Sequence, residues 1–500
     1  MDKLGVIDVG SNSIRLVILK INQDNSFRII DEKKETVRLG MDMTPEGGLN
    51  PERARKAIET LRFFVDICKG TDVNDILAVA TEAVRRASKQ DNFTARVKEE
   101  TGIDISILSG SEEAFYDYFG TINSMCLSRA LLMDIGGCSN QLILVEDKKI
   151  VESISLPYGA INLSTRFNLE KALEKDSEDQ IRTFLFNEYD KIPWLKKARG
   201  FPLIGIGGTL RNIGKISRRI NNYPMDISHN YQMDVKDIYD IYNQVKARDI
   251  KQREKIKGLS KERADIFLGA LAAVLTVTDY CQVPMIHLSG NGLREGLIYE
   301  YILRGKEPAS DVLDFSLNNI INDYQLDRQH AERVYGFTKT LFNQLMPVHS
   351  IDKDMNSTLK TAALLHDLGV VISYYGHHRH SFYMIMNARI NGLSHKEQLM
   401  AAHIAAFHRK DEFKINTYQY RNVLEDEDIQ IIQKLGILLK IAEYLDQRQN
   451  GNIEQIQCNL QKDTVIIKLF SKEDPDIEIN ETLKASDSFS KIFNRKLIIV

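Results

Sequence analysis

The sequence lacks any uninterrupted apolar run that approaches the roughly 18 residues of a membrane-spanning helix. No signal-peptide pattern opens the chain, because its first residues already have the character of a strand. Cysteine is scarce as well: the five cysteines are scattered and none forms a C-x-x-C pair, which favours reduced thiols over a disulfide framework or a zinc site. We therefore predict a cytoplasmic protein with no membrane partner.

Charge gives little further information, because the net value of −3 selects no class of partner. Apolar residues make up 43% of the chain and charged residues 27%, which is typical of a soluble globular protein. A length of 500 residues predicts three or four domains.

Two distant segments, residues 8–16 and 134–142, share the pattern Asp-x-Gly-x-x-Ser-x-x-Leu without a gap. Each follows a strand-like apolar run and predicts a hairpin turn. Glycine lets the N–H groups of such a turn approach an anion, and serine adds a hydroxyl donor. The alternative is a pair of ordinary tight turns, but the ungapped match favours two similar lobes around a phosphate-binding cleft.

Each repeated segment begins with a carboxylate at the end of a strand, Asp8 in the first and Asp134 in the second. A carboxylate repels phosphate, so direct contact with the anion is unfavourable. These two side chains are better suited to a metal ion or to an attacking water.

Two more functional candidates lie at predicted strand-to-helix junctions. One strand ends at Ala80 before a helix that carries Arg85, and another ends at Leu108 before a helix that Ser109 can cap and that bears Glu113. Both junctions fall on one edge of the predicted sheet. In open α/β sheets that edge is where ligands bind.

Further along, a predicted strand at 202–206 runs into Gly207-Gly208-Thr209, which opens a helix. The N-terminus of a helix is a natural anion site, although simple packing of helix against strand is the alternative. The stretch 246–263 is basic, which is consistent with either a solvated helix face or a track for a polyanion.

Taken together, these motifs resemble the exopolyphosphatase and guanosine pentaphosphate phosphohydrolase family of the actin-like ATPase superfamily. The resemblance covers nearly the whole chain. It rests on the segments at residues 8–13, 80–85, 109–114, 134–137, 207–209 and 290–296.

The resemblance implies an α/β fold with two actin-like (ribonuclease H-like) lobes around a cleft, at residues 1–121 and 122–305. It makes Glu113 the general base, Asp134 a second essential carboxylate associated with the metal, and Arg85 the group that neutralises the terminal phosphate. Asp8 joins Asp134 as a candidate ligand of Mg²⁺ or Mn²⁺. The expected phosphate-binding residues are Gly10, Ser11, Asn12, Ser13, Gly136, Gly137, Ser139, Gly207, Gly208 and Thr209.

Members of this family remove the terminal phosphate of inorganic polyphosphate, and some remove the 5′ phosphate of guanosine pentaphosphate. The expected partners are therefore inorganic polyphosphate and guanosine penta- or tetraphosphate, with no nucleic acid. The resemblance also implies a homodimer.

This chain departs from the family at the second turn, which usually reads Asp-Ile-Gly-Gly-Gly-Ser-Thr-Glu. Cys138, Asn140 and Gln141 stand where Gly, Thr and Glu are expected. Loss of the Glu removes a carboxylate that could bind Mg²⁺, and Cys138 adds a side chain beside the turn. The two consequences left open are a weakened hydrolase and a lobe pair that senses phosphate chains.

Residues 306–452 change to long helical patterns and contain His330, His366, Asp367 and Asp446. Their order resembles HD-type metal phosphohydrolases and implies an all-α HD-type domain with a second divalent metal site. More histidines cluster nearby and are candidates for a two-metal site or for phosphate contacts, in a basic neighbourhood. They are His377, His378, His380, His403 and His408, with Arg379, Arg409 and Lys410.

The tail, residues 453–500, returns to strand patterns and predicts a small α+β cap. The predicted function is an exopolyphosphatase or guanosine pentaphosphate phosphatase. The alternative is a pair of polyphosphate- or alarmone-sensing lobes that control an HD-type nucleotide phosphohydrolase.

Overall fold

The computed structural model describes residues 2–44, 46–87, 92–305, 307–409 and 416–500. Lys410, one of the predicted basic residues, lies outside this set. The chain forms two compact units: the first comprises Met1–Asn222 and Asp226–Ser310, and the second comprises Tyr223–Met225 and Asp311–Val500.

The first unit begins with a five-stranded sheet of order β3-β2-β1-β4-β5. Its strands are β1 Asp2–Val9, β2 Ser13–Ile21, β3 Phe27–Thr36, β4 Asp75–Ala80 and β5 Ile105–Ile107. Its helices are α1 Pro51–Gly70, α2 Glu82–Ala87, α3 Phe93–Thr101 and α4 Gly110–Ile122. β1 runs antiparallel to β2 and parallel to β4, and β4 is parallel to β5.

A six-stranded sheet of order β10-β11-β9-β6-β7-β8 follows in the same unit. Its strands are β6 Arg129–Ile135, β7 Asn140–Glu146, β8 Lys149–Leu156, β9 Leu203–Ile206, β10 Gln232–Asp234 and β11 Met285–Leu288. Its helices are α5 Ala160–Arg166, α6 Lys175–Asp190, α7 Gly207–Ile220, α8 Val235–Lys246, α9 Ile250–Arg253, α10 Phe267–Tyr280 and α11 Leu293–Leu303. β6 is antiparallel to β7 and parallel to β9, so the central arrangement of the first sheet recurs.

Local signals in the sequence set several of these element boundaries. The Asn50 side chain accepts the N–H groups of Glu52 and Arg53, at 3.0 and 3.2 Å, at the start of α1. Ser109 and Glu112 form a capping box at the start of α4. The start of the second of these helices, with Ser109 as its cap, is where the sequence predicts it.

Helices α4 and α11 touch through their backbones. A methyl group on Gly120 would lie 2.3 Å from the Gly292 carbonyl oxygen, and one on Gly296 would lie 2.1 Å from the Tyr116 carbonyl oxygen. Only glycine permits so close an approach. The contact fixes the second half of α4 against α11 and the residue that precedes it.

The basic stretch 246–263 does not form a single helix. α8 ends at Lys246, the short α9 follows, and turns lead to a 3-10 helix at Lys261–Arg263. Arg253 is fully buried, and its guanidinium donates to the carbonyls of Leu169 and Lys171. At least this cation of the stretch is therefore structural.

The second unit starts with helices and ends with a three-stranded sheet of order β12-β13-β14. The helices are α12 Val312–Asp323, α13 Arg328–Gln344, α14 Met346–His349, α15 Asn356–Leu364, α16 His377–Asn387, α17 His395–Phe407, α18 Thr417–Tyr420 and α19 Asp426–Leu445, followed by α20 Asp476–Leu483 and α21 Ser486–Phe493. The strands are β12 Ile453–Leu460, β13 Thr464–Ser471 and β14 Lys496–Ile499. α13, α15 and α17 bury apolar side chains such as Val334, Leu359 and Leu399.

Candidate functional site

The two repeated segments form the hairpin turns that their sequences predict. In the β1–β2 turn, the Gly10 N–H donates to the Ser13 carbonyl at 3.1 Å, and in the β6–β7 turn the Gly136 N–H donates to the Ser139 carbonyl at 2.9 Å. The same hydrogen bond closes both turns, which supports their duplication.

The turns approach each other from the two sheets of the first unit. A methyl group on Gly137 would lie 3.1 Å from Cβ of Ser11 and 3.4 Å from the Asn12 backbone nitrogen. A cleft opens beside this contact. Seven predicted phosphate-binding residues of the turns line it: Gly10, Ser11, Asn12, Ser13, Gly136, Gly137 and Ser139.

The start of α7 meets the same cleft, as predicted. Gly207 and Gly208 line it, whereas the Thr209 hydroxyl donates to the Ile135 carbonyl at 3.3 Å and is buried. Gly207 has φ +79°, and a side chain there would collide with Oδ1 of Asp134, 2.1 Å from the position of its Cβ. The glycine therefore leaves room for that carboxylate.

Asp8 and Asp134 both line the cleft, each two residues before the first glycine of its turn. Burial raises the pKa of Asp8, although Arg294 opposes the shift. Burial raises the pKa of Asp134 to about 6, with Arg211 opposing it and Asp8 adding to it. At both carboxylates, burial therefore outweighs the attraction of the surrounding arginines.

Asp117, which the sequence analysis did not select, is a third buried carboxylate of the cleft. It lies one helical turn after Glu113 on α4, a spacing that places both on one face. Burial and then the charge of Asp134 raise its pKa well above the ordinary value, and its Oδ1 has no hydrogen-bond partner in the described part of the chain.

These oxygen donors suit Mg²⁺, which prefers carboxylates and water over nitrogen or sulfur. Within the described ranges, no three of the cleft carboxylates bring oxygens within 4.8 Å of one another. Mg²⁺ usually binds one or two protein carboxylates and completes its shell with water and substrate phosphate. Asp8 and Asp134 fit that mode of binding.

Glu113 lines the cleft at the start of α4 and is 3% exposed. Burial raises its pKa to about 7, although Arg85 opposes the shift. Nη1 of Arg85 lies 2.7 Å from Oε1 of Glu113, and Arg85 also pairs with Glu82. Arg85 is thus held by carboxylates and does not line the cleft itself.

The departure at the second turn has two structural consequences. The amide of Gln141 donates to Oε2 of Glu113 and also contacts Ser155, at 3.3 Å. Cys138 is buried, with its Sγ 3.7 Å from the Gly40 carbonyl oxygen. The thiol lies away from the cleft lining, and the turn keeps the hydrogen bond of its counterpart.

Four arginines that the sequence analysis did not select also line the cleft: Arg15, Arg211, Arg263 and Arg294. Burial lowers the pKa values of Arg211 and Arg263, each to about 10, so both stay cationic at neutral pH. The repeat offered a signal for Arg15 in the sequence. This arginine occupies the position in the first repeat that Gln141 occupies in the second. Together the four guanidinium groups attract a polyanion.

In the second unit, four buried or half-buried side chains converge as a candidate metal site, which we call the first ligand set. Its members are His330, His366, Asp367 and Glu443. Oε2 of Glu443 lies 3.1 Å from Nε2 of His330 and 2.9 Å from Nε2 of His366. All three atoms are buried, and none makes a hydrogen bond of acceptable geometry within the described residues.

Asp446, the predicted fourth ligand, lies behind His330 and outside the first ligand set. Its Oδ2 is 2.7 Å from Nδ1 of His330, and its Oδ1 accepts from Nε of Arg333 at 2.8 Å. Burial alone would lower the pKa of His330, but the adjacent carboxylates of Asp446 and Glu443 raise it to about 10. Glu443, which sequence analysis missed, takes the expected place of Asp446.

Of the five clustered histidines, His377 and His408 approach Asp367, and together they form a second ligand set with it. Nδ1 of His403 faces the Leu399 carbonyl at 2.9 Å, inside helix α17.

Among the residues described, no helix is both long enough and apolar enough to cross a membrane.

Two family models match the chain: "Ppx/GppA phosphatase family" over residues 17–305 and "Ppx/GppA phosphatase, domain III" over residues 312–487. The second match continues past residue 452 into the terminal sheet.

Curated relatives agree with these matches. A guanosine-5'-triphosphate,3'-diphosphate pyrophosphatase of Aeromonas hydrophila is 27% identical over 471 residues, covering 93% of this chain and 91% of its own. A protein of the same name from Pseudoalteromonas translucida is 26% identical over 451 residues, covering 90% and 88%.

Solved structures share the α/β fold. An exopolyphosphatase from Cytophaga hutchinsonii is 27% identical, has a TM-score of 0.56, and covers 62% of this chain and 100% of its own. The Aquifex aeolicus member of the Ppx/GppA family is also 27% identical, with a TM-score of 0.52 and coverage of 61% and 98%. With the family model spanning more than half of the sequence, this chain belongs to the Ppx/GppA phosphatase family.

Proposed function

We propose that the chain hydrolyses the terminal phosphoanhydride of inorganic polyphosphate, of guanosine pentaphosphate, or of both. The observation that carries this proposal is the position of Glu113, a buried carboxylate with a pKa of about 7, on the cleft beside two phosphate-type turns. Relatives named for both activities support the choice of substrates.

In the proposed reaction the two turns hold the terminal phosphoryl group. The backbone N–H groups and the hydroxyls of Ser13 and Ser139 donate to its oxygens, and the cleft arginines offset the charge of the chain that follows. These donors are in place before the reaction, so they stabilise charge that develops in the transition state.

Glu113 then accepts a proton from water as the water oxygen bonds to the terminal phosphorus. The bond between that phosphorus and the bridging oxygen breaks, and the bridging oxygen leaves on the shortened substrate. Glu113 later releases its proton to solvent or to phosphate. A divalent ion held by Asp8 and Asp134, Mg²⁺ or Mn²⁺, would supply additional positive charge to the phosphate oxygens.

Arg85 has a different role in this proposal from direct phosphate binding. It contacts Glu113 and Glu82 and would keep the base ionised and oriented. Arg85 is thus proposed as a positioning residue. Direct neutralisation of phosphate by Arg85 stays a prediction.

We further propose that the helical part of the second unit is an HD-type domain that holds one divalent ion at the first ligand set. Two imidazoles and two carboxylates whose ligand atoms lie within 4.8 Å of one another support this site. A metal-dependent phosphohydrolase at this site, controlled by phosphate-sensing lobes, is the second candidate function.

One experiment separates these proposals. Phosphate release from long-chain polyphosphate and from guanosine pentaphosphate is measured with Mg²⁺ or Mn²⁺ for the wild type, Glu113→Gln and the double variant His366→Ala/Asp367→Ala. Loss in the Glu113 variant alone supports hydrolysis in the cleft. Loss in the double variant alone, or no release by the wild type, overturns it in favour of the second candidate.

The remaining expectations stay proposals. They are the homodimer, the cytoplasmic location, the absence of a nucleic-acid partner, and the four domains at 1–121, 122–305, 306–452 and 453–500 with a separate α+β cap.

A further inference from the structure

The end of β3 and the loop after it contact a distant segment of the first unit. Nζ of Lys34 and the hydroxyl of Thr36 donate to Oε2 of Glu262, at 2.6 and 2.8 Å. The Arg38 guanidinium donates to both oxygens of Asp265, at 2.6 and 3.2 Å, and to the Glu262 carbonyl at 2.9 Å. We call these contacts the clasp, because they join a strand of the five-stranded sheet to the segment that leads into α10.

The pair of Arg38 and Asp265 is the strongest part of the clasp. Two parallel hydrogen bonds from one guanidinium to one carboxylate are stronger and better oriented than a single ion pair. The two side chains are 25% and 24% exposed, so water and salt screen this pair less than an ion pair on the open surface. Lys34 and Glu262 are more exposed and contribute less.

The backbone of Arg38 supports the first phosphate-type turn. Its N–H donates to the Asn12 carbonyl at 2.9 Å, and the Gly40 N–H donates to the Ser11 carbonyl at the same distance. Ser11 and Asn12 line the cleft. Arg38 has φ +60°, a left-handed conformation that few residues other than glycine adopt, so its surroundings fix its backbone. One residue therefore connects the first turn to the segment of Asp265.

Arg263, one of the four cleft arginines, lies in the sequence between Glu262 and Asp265. Its guanidinium packs against the start of α7. A methyl group on Gly208 would lie 2.3 Å from Nη2 of Arg263, and Nη1 donates to the Thr209 hydroxyl at 3.4 Å. The clasp thus holds the chain on both sides of a cation that faces the cleft.

We propose that Arg38 is a positioning residue, which holds Arg263 in the cleft through Asp265 so that the Arg263 guanidinium can bind a phosphate chain. A segment that is fixed on both sides of Arg263 loses less conformational freedom when the anion binds, and this favours binding. Arg38 itself does not line the cleft. The inference rests on the proposed function for the identity of the ligand, but it does not depend on hydrolysis.

The clasp gives a prediction whose sign differs from that of charge alone. Asp265 is an acid two residues from a cleft arginine, so by charge alone its removal should strengthen the binding of an anion. If Asp265 acts by joining Arg38 to the segment of Arg263, its removal should weaken binding instead.

The test is a calorimetric titration of the full-length chain with inorganic tripolyphosphate at a constant excess of Mg²⁺. The parent protein and all variants carry Glu113→Gln, which prevents hydrolysis of the ligand. Arg38→Gln, Asp265→Asn and the two together should raise the Kd by the same factor of about ten, because each breaks the same charge-assisted contact. Adding Arg38→Gln to Arg263→Gln should not raise the Kd further.

Arg62→Gln is the matched control and should leave the Kd unchanged. Arg62 pairs with Glu100 at 2.7 Å, and this ion pair joins α1 to α3 away from the residues that line the cleft. Circular dichroism confirms the fold of each variant. If Arg38→Gln does not fold, Asp265→Asn breaks the same contact from its other side.

The proposal is overturned if Asp265→Asn binds tripolyphosphate as tightly as its parent or more tightly. Effects of Arg38→Gln and Arg263→Gln that multiply independently also overturn it, and neither result affects the proposed hydrolysis. Absence of binding by the parent protein overturns the proposed substrate together with this inference. The expected pattern of Kd values in a chain whose wild type releases no phosphate keeps the role of Arg38 and rejects the hydrolase.

Discussion

The side-chain amide of Gln141 donates a hydrogen bond to Oε2 of Glu113. The residue at position 141 therefore contacts the proposed base directly. It also stands where the family pattern given in the sequence analysis reads glutamate, so a single substitution can test what the change does.

Gln141→Glu should lower the Mg²⁺ concentration needed for half-maximal activity by roughly tenfold, because it adds one carboxylate ligand to an oxygen site. A magnesium titration of phosphate release at pH 8.5 measures this shift. Gln141→Met, which adds no ligand, is the control. An unchanged Mg²⁺ requirement in Gln141→Glu would show that position 141 does not reach the metal.

Activity should rise with pH through an inflection at about 7, because burial raises the pKa of Glu113 to about 7 and only the ionised form accepts a proton. Arg85 lowers that pKa, so Arg85→Gln should move the inflection upward by about one pH unit. Rate profiles from pH 5.5 to 9 measure both values. The exposed neighbour Arg86→Gln should leave the inflection in place, and a shift there of equal size would contradict the assignment.

Metal binding in the second unit should depend more on Glu443 than on Asp446. Glu443→Gln removes a ligand, whereas Asp446→Asn alters only the support of His330 and should weaken affinity about 10–100-fold. Calorimetric titration with Mn²⁺ ranks the two variants. The reverse order would restore Asp446 as the ligand.

Arg253→Gln should lower stability by about 3 kcal/mol, because it leaves buried carbonyls without their donor. In the structure the guanidinium of Arg253 donates hydrogen bonds to the backbone carbonyls of Val245, Leu169 and Lys171. Thermal unfolding followed by circular dichroism measures the change. Lys251→Gln, on the exposed side of the same short helix, should unfold as the wild type does, and equal loss in both would point to a surface effect.

Local patterns in the sequence were sufficient to predict the elements whose cause is local. The turns at Gly10 and Gly136 and the cap at Ser109 depend on a few adjacent residues, and the structure has them where they were expected. The buried strands, such as β6, follow from continuous apolar runs.

Residues that reach the cleft from distant segments could not be found in this way. Arg211 and Arg263 lie within an amphipathic helix and a basic stretch, where cations are ordinary, and only the folded chain brings them to Asp134. Glu443 and Asp446 are three residues apart near the end of one helix, so both face the same side. Which of them faces the Nε2 atoms of the two histidines depends on packing between helices.

The crossing of α4 and α11 has a consequence for how far this molecule can vary. α4 begins beside the proposed base, and α11 begins after the loop of Asn291, which also lines the cleft. A methyl group on Gly120 would lie 2.3 Å from the carbonyl oxygen of Gly292, just before α11, and one on Gly296 would lie 2.1 Å from that of Tyr116 in α4. Since α4 and α11 would have to separate, even the smallest substitution at either position would shift the Asn291 loop relative to α4 and so change the lining of the cleft.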